Sequence, residues 1–193
     1  MRRATYYLVA AAILSGFIIA FPFAARGQQA RSGGSSASAI ERGQYLVTVQ
    51  DCNGCHTPFD AKGEPDMTRM LSGHPQDVRV PAAPRLPLQG GWIVAINETN
   101  TAWAGPWGVS FTSNLTPDRL TGIGLWTEQT FISAIRNGKK GGGGRELLPP
   151  MPWRMYGKLS DDDLRAIYAY LKTIPAVSNR VPNPIAPAAR TRN

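Results

Sequence analysis

Two kinds of side chain on which much protein chemistry depends are nearly missing from this chain. Its 193 residues include two cysteines, Cys52 and Cys55, and two histidines, His56 and His74. A closed zinc site wants about four nitrogen or sulfur ligands, and after the Cys52 to His56 cluster only His74 is left to serve, so a structural zinc centre is disfavoured. No βαβ pattern surrounds Cys52, as a thioredoxin-like redox pair would require, and no internal repeat is visible. Acidic residues are scarce as well, 13 against 21 Lys and Arg, which leaves a net charge of +8. A basic surface favours docking to an acidic patch with salt-sensitive rates, and it serves plain solubility equally well.

Glycine and proline are abundant, at 20 and 16 residues, beside 42% hydrophobic residues. The length fits one domain with appendages, and the composition one modest core with long irregular connections. What chemistry the chain has is gathered in five consecutive residues, Cys52-Asn53-Gly54-Cys55-His56. C-x-x-C-H is the attachment signature of covalent c-type haem. Two thiols three positions apart can form thioethers to the two vinyl groups on one porphyrin edge, while the adjacent imidazole swings under the ring to bind iron. The other readings of the pair are a structural disulfide, a thiol redox site or a different metal site. One copy of the motif means one haem c.

The N-terminus reads as an export signal: Arg2 and Arg3, a mostly apolar run from Tyr6 to Phe21, Pro22, then small residues, with Ala25-Arg26-Gly27 in place for cleavage before Gln28. The alternative is an uncleaved anchor, since about 20 residues cross a bilayer. Either outcome puts the remaining chain outside the cytoplasm, in the periplasm or tethered to the inner membrane, where nucleic acid is not a partner. Cleavage would remove three arginines and no acid, taking the net charge from +8 to +5. Residues 28–38, rich in Gly, Ser and Ala, read as a flexible linker. Residues 39–181 form the folded domain, and 182–193, with Pro182, Pro184 and Pro187, a disordered tail.

Helical signals bracket that domain. The first helix is expected from Ala39 to Val49, capped by Ser38 and leading into the motif; Gly43 within it costs helix stability and marks a close crossing, with the last helix as the natural partner. A second helix should begin after Thr127 and stop at Asn137-Gly138, with Trp126 and Phe131 as a hydrophobic staple. A third should run from Asp161 to Thr173, with Ser160 before it, Leu159 and Leu164 as staple and three aspartates at its positive end. Roughly 70 residues between the motif and Trp126 carry little helical signal. Within them Trp92-Ile93-Val94 and Val109-Ser110-Phe111 are compatible with a small β-hairpin.

A helix into C-x-x-C-H, irregular loops, a helix, a Met-Pro segment and a C-terminal helix make up an order that resembles a class I cytochrome c. Asn114-Leu115-Thr116-Pro117-Asp118, Thr121-Gly122-Ile123-Gly124-Leu125-Trp126, Leu148-Pro149-Pro150-Met151-Pro152 and Leu159-Ser160-Asp161 to Leu171 are similar to the cytochrome c subunits of periplasmic alcohol dehydrogenases. Those subunits carry three C-x-x-C-H motifs where this chain has one. The resemblance, over roughly Ile40 to Pro182, implies a mainly α fold around one covalent haem. It also implies an electron carrier rather than an enzyme, taking single electrons from a dehydrogenase and giving them to an oxidase or another cytochrome; a fixed subunit of a dehydrogenase complex is the other role it admits.

The resemblance further implies His56 and Met151 as iron ligands, because in the family the Met of a Met-Pro pair before the last helix binds iron. Pro149 and Pro150 would hold that segment stiff. Met155 is the local rival, His74 the distant one, and Met67 and Met70 are read as loop or packing residues. In the family a Gly-Pro-Asn-Leu loop supplies a carbonyl to the proximal imidazole, and Ser113-Asn114-Leu115 resembles it, with Ser113 where the proline would be. Trp126 and Trp153, flanking these sites, are expected at the haem pocket; Tyr156 can line it or donate to a propionate, and Tyr168 and Tyr170 are assigned to the core.

Overall fold

A computed structural model describes residues 36–80 and 91–187. The expected leader at 1–27, the linker up to residue 35 and the last six residues lie outside this description.

Helix α1 covers Ser36–Val49 and buries Gly43, Leu46 and Val47. It starts three residues before the expected Ala39, so Ser38 sits inside the helix instead of capping it; small unbranched side chains at 36–38 put little in the way of another turn. The motif forms its own short helix, α2 (Cys52–His56). Asp51 enters it in the left-handed region at φ 52, and its carboxylate accepts from the Gly54 amide at 3.1 Å.

Helix α3 (Glu128–Asn137) is started by Thr127, whose hydroxyl accepts from the Thr130 amide, and stopped by Gly138 at φ 63. A short turn of helix, α4 (Trp153–Tyr156), leads to α5 (Asp161–Leu171), capped by Ser160 at the Asp163 amide. It ends two residues before the expected Thr173. Leu46 and Val47 of α1, Phe131 of α3 and Ile167 and Leu171 of α5 meet Leu71 and Ile123 in one buried core.

In that core α1 and α5 cross closely. A Cβ at Gly43 would collide with the Ala166 carbonyl and the Tyr170 Cβ. Glycine is therefore retained in mid-helix, where it costs about 1 kcal/mol relative to alanine, because the backbones touch at that point.

The stretch expected to hold a hairpin forms a three-stranded antiparallel sheet of β1 (Ala95–Ile96), β2 (Ala102–Gly105) and β3 (Gly108–Phe111), with β2 in the middle. Trp92 and Ile93 lie outside it and are exposed. The expectation of a disordered tail from residue 182 is corrected in part: Ile185 pairs antiparallel with Val109, exchanging two backbone hydrogen bonds of 2.8 and 2.9 Å. The free edge of β3 offers unpaired donors and acceptors. Gly108 leaves room for the approach, since a Cβ there would strike the Ile185 carbonyl. Among the described residues no helix is long and apolar enough to cross a membrane.

Gly43→Val should lower stability by about 2–4 kcal/mol, the overpacking cost with β-branching added. Thermal unfolding of the purified protein measures it; an unchanged Tm would mean that the crossing has slack.

Candidate haem-binding site

The three chemical groups of the motif line one apolar cavity of ≈ 1260 Å³, counting the space open to solvent. Cys52, Cys55 and His56 come to it from α2. Phe111, Thr112 and Ser113 come from the end of β3, Phe131 and Ile135 from α3, Leu148 and Met151 from the Met-Pro segment, and Leu164, Ile167 and Leu171 from α5.

His56 is buried, and its Nδ1 lies 2.8 Å from the Ser113 carbonyl oxygen. A carbonyl only accepts, so Nδ1 carries the proton and Nε2 keeps its lone pair. Burial holds the imidazole below its ordinary pKa, with the Ser113 bond pulling the other way. The neutral ring is the form that ligates a metal. The turn that carries it is pinned from outside: Asn100 Nδ2 donates to the Gly54 carbonyl at 2.5 Å, and the Thr57 hydroxyl donates to Asn53 Oδ1 at 2.8 Å.

Burial pushes the Cys52 thiol up to about 12, with the negative charges of Asp51 and Cys55 adding to the rise; Cys55 is raised by burial and by Asp51. A catalytic or redox thiol needs its pKa lowered, by a helix N-terminus or a neighbouring cation. Here both are raised instead, and the two sulfurs stand together on an apolar wall, suited to thioether formation.

Across the chain, Met151 lines the cavity and Met155 does not, being 72% exposed. The Met151 segment is tied down on two sides. The Ser110 hydroxyl of β3 donates to the Pro149 carbonyl at 2.5 Å, and the Tyr156 hydroxyl donates to the Gln50 carbonyl at 2.8 Å, next to the motif. Met67 is exposed, and Met70 packs against the core.

His74, the distant rival, is buried away from the cavity with both ring nitrogens engaged, Nδ1 with the Thr101 hydroxyl at 2.9 Å and Nε2 with the Val78 carbonyl at 3.0 Å. Trp126 is on the cavity wall. Trp153 is not, which corrects the expectation for that residue: its indole packs over Gly138, where absence of a Cβ makes room, and under the Arg154 guanidinium. Two wall residues had no warning in the motifs, Lys140 and Arg145. Their signal was the run Gly141 to Gly144 between two cations, which reads as a plain loop until its position is known.

Helices around a cavity that holds both thiols, a neutral imidazole with a free Nε2 and a methionine define a class I c-type cytochrome, and these residues fit a covalent haem. The cytochrome c family model matches residues 40–175, and the chain belongs to that family. It is 32% identical over 131 residues to the gluconate 2-dehydrogenase cytochrome c subunit of Pantoea cypripedii, covering 68% of this chain and 22% of that one. It is 30% identical over 135 residues to the fructose dehydrogenase cytochrome subunit of Gluconobacter japonicus, covering 70% and 21%. A diheme cytochrome c-type protein of Cereibacter sphaeroides is 31% identical over 172 residues, covering 82% and 47%. The chain thus spans about a fifth to a half of the length of these relatives.

His74 yields a pH prediction. Burial lowers its pKa in the fold, whereas in the unfolded chain it titrates near 6.5. Below about pH 6.5 the unfolded state therefore takes up a proton that the folded state resists, and stability falls as pH drops towards the folded value. Thermal unfolding between about pH 7.5 and 5.5 should show this loss, and His74→Gln should flatten it while leaving the absorption spectrum unchanged. A spectrum altered by His74→Gln would make His74 an iron ligand after all.

Proposed function

We propose that this chain is an exported, mono-haem cytochrome c that carries single electrons from a periplasmic or membrane-bound dehydrogenase to an oxidase or another cytochrome. The observation that carries the proposal is the convergence of Cys52, Cys55, His56 and Met151 on one apolar cavity. When bound, the haem supplies one-electron oxidation and reduction at iron. The work of the chain is to hold it. Cys52 and Cys55 would anchor it, His56 would present Nε2 because the Ser113 carbonyl takes the proton on Nδ1, and Met151 would offer a thioether from the Met-Pro segment. Methionine beside histidine raises the haem potential, which suits an acceptor of electrons from dehydrogenases. Phe111, Phe131, Leu164 and Leu171 exclude water from the walls.

Export rests on Arg2, Arg3 and the apolar run before Pro22, with residues 1–27 as cleaved signal or anchor, the linker ending at α1, and the cytochrome domain following it. A fixed subunit of a dehydrogenase complex is the second reading, favoured by the names of the fructose and gluconate dehydrogenase relatives. Native elution separates the two: a carrier elutes alone, a subunit with its dehydrogenase.

Ligation by Met151 is the test of the site. The ferric protein should show the weak near-infrared charge-transfer band of a sulfur–iron bond. Met151→Ala should abolish it, lower the potential and admit carbon monoxide to the ferrous protein, while Met155→Ala keeps the band. The opposite pattern would move the ligand to Met155, and a band that survives both substitutions would overturn the assignment.

A further inference from the structure

The cavity that holds the motif also has two cations on its wall that none of the assigned roles uses. Arg42, Arg69, Arg136 and Arg165 each pair with a carboxylate at the surface. Lys140 and Arg145 have no carboxylate partner among the described residues, although both line the cavity; Arg145 donates only to the carbonyl of its neighbour Glu146, at 3.1 Å. Lys140 is exposed to solvent, and Arg145 is half-buried. Burial holds both below their ordinary pKa, and the Arg145 charge adds to the effect on Lys140. Two like charges beside apolar walls are unfavourable unless an anion joins them.

The loop keeps them together. The Lys140 amide donates to the Arg145 carbonyl at 2.9 Å, Gly144 returns to the Lys140 carbonyl at 2.8 Å, and Lys139 bridges Glu146. Gly141 and Gly142 turn the chain at φ 62 and 81, which side-chain-bearing residues rarely adopt. The glycine run thus places two cations side by side at the cavity.

The other ionisable groups on the wall are Asp51, Cys52, Cys55, His56 and Tyr156. The wall thus carries two thiols from α2 and two cations from the glycine-rich loop. A haem offers a group for each, vinyl groups for the thiols and two carboxylates for the cations.

We propose that Lys140 and Arg145 bind the two haem propionates, so that the Gly141–Gly144 loop sets the orientation and the electrostatics of the cofactor. This rests on the haem reading above. The pair neutralises the carboxylates in a cavity that would otherwise repel them, and its positive charge favours the electron on iron.

The test is the midpoint potential of the purified holoprotein against pH. Arg145→Gln and Lys140→Gln should each lower the potential, because removing a cation disfavours the added electron. Each should also move the pH-dependent segment to higher pH, because the propionate then holds its proton more tightly. Arg145→Lys should restore most of both effects. Lys139→Gln, an exposed neighbour that does not line the cavity, should leave the pH profile in place. The pyridine haemochrome spectrum, unchanged across the set, shows that the haem itself is retained; a wild-type protein without haem would sink the functional reading first. With haem present, an unmoved pH profile in both Gln variants overturns the assignment. So does an effect confined to the rate of reduction by a partner, which would make the pair a docking site. Lys140→Gln, at an exposed position, keeps the test open if Arg145→Gln does not fold.

Discussion

The hydrogen bond from His56 Nδ1 to the Ser113 carbonyl, 2.8 Å long, is the constraint on which most of this domain hangs. It joins segments 57 residues apart and fixes which imidazole nitrogen is free, and the backbone around it serves to hold its two ends in place. Gly73 donates to the His56 carbonyl at 2.8 Å, His74 to the Thr112 carbonyl at 3.0 Å, and Leu115 to the Leu71 carbonyl at 2.9 Å. Asn179 then reaches back from beyond α5 to the Ser72 and His74 carbonyls, and Asn114 to the Val177 carbonyl. Buried amides that satisfy this many backbone groups are costly to lose, about 1–3 kcal/mol for each group left unpaired. The irregular segments thereby gain the rigidity that helices supply elsewhere in the chain.

The methionine segment of the cavity wall is held by different means. The Met151 segment has proline before and after the methionine, and the Ser110 hydroxyl and Tyr156 fasten it to the sheet and to the end of α1. The small sheet therefore contributes to the site from the C-terminal end of β3: Ser110 steadies the methionine side, and Ser113, just beyond Phe111, orients the histidine. Ile185, paired on β3, extends that support to residues near the C-terminus.

Much of this was legible in the sequence because it is local. Thr127, Gly138 and Ser160 carry their capping chemistry within four residues, so α3 and α5 could be bounded closely, and Gly43 announced the crossing through its own cost. The Cys52 to His56 string named its chemistry outright. What was not legible depends on distant neighbours. Residues 182–187 look unstructured until the edge of β3 is there to receive Ile185; β2 reads as a connection until strands form on both sides of it. Trp153 sits beside the Met-Pro segment in sequence but packs on Gly138, because the turn of helix it opens faces α3. Lys140 and Arg145 gain their meaning only once the glycine run folds them onto the cavity wall.

The central claim is that Cys52 and Cys55 hold one haem by thioether bonds, and the most direct measurement is the haem content of the purified protein after acid-acetone extraction. The account predicts one haem per chain that stays with the polypeptide, gives a c-type pyridine haemochrome spectrum and survives a denaturing gel as peroxidase staining. Haem that leaves with the acetone, or a protein with none, would contradict it.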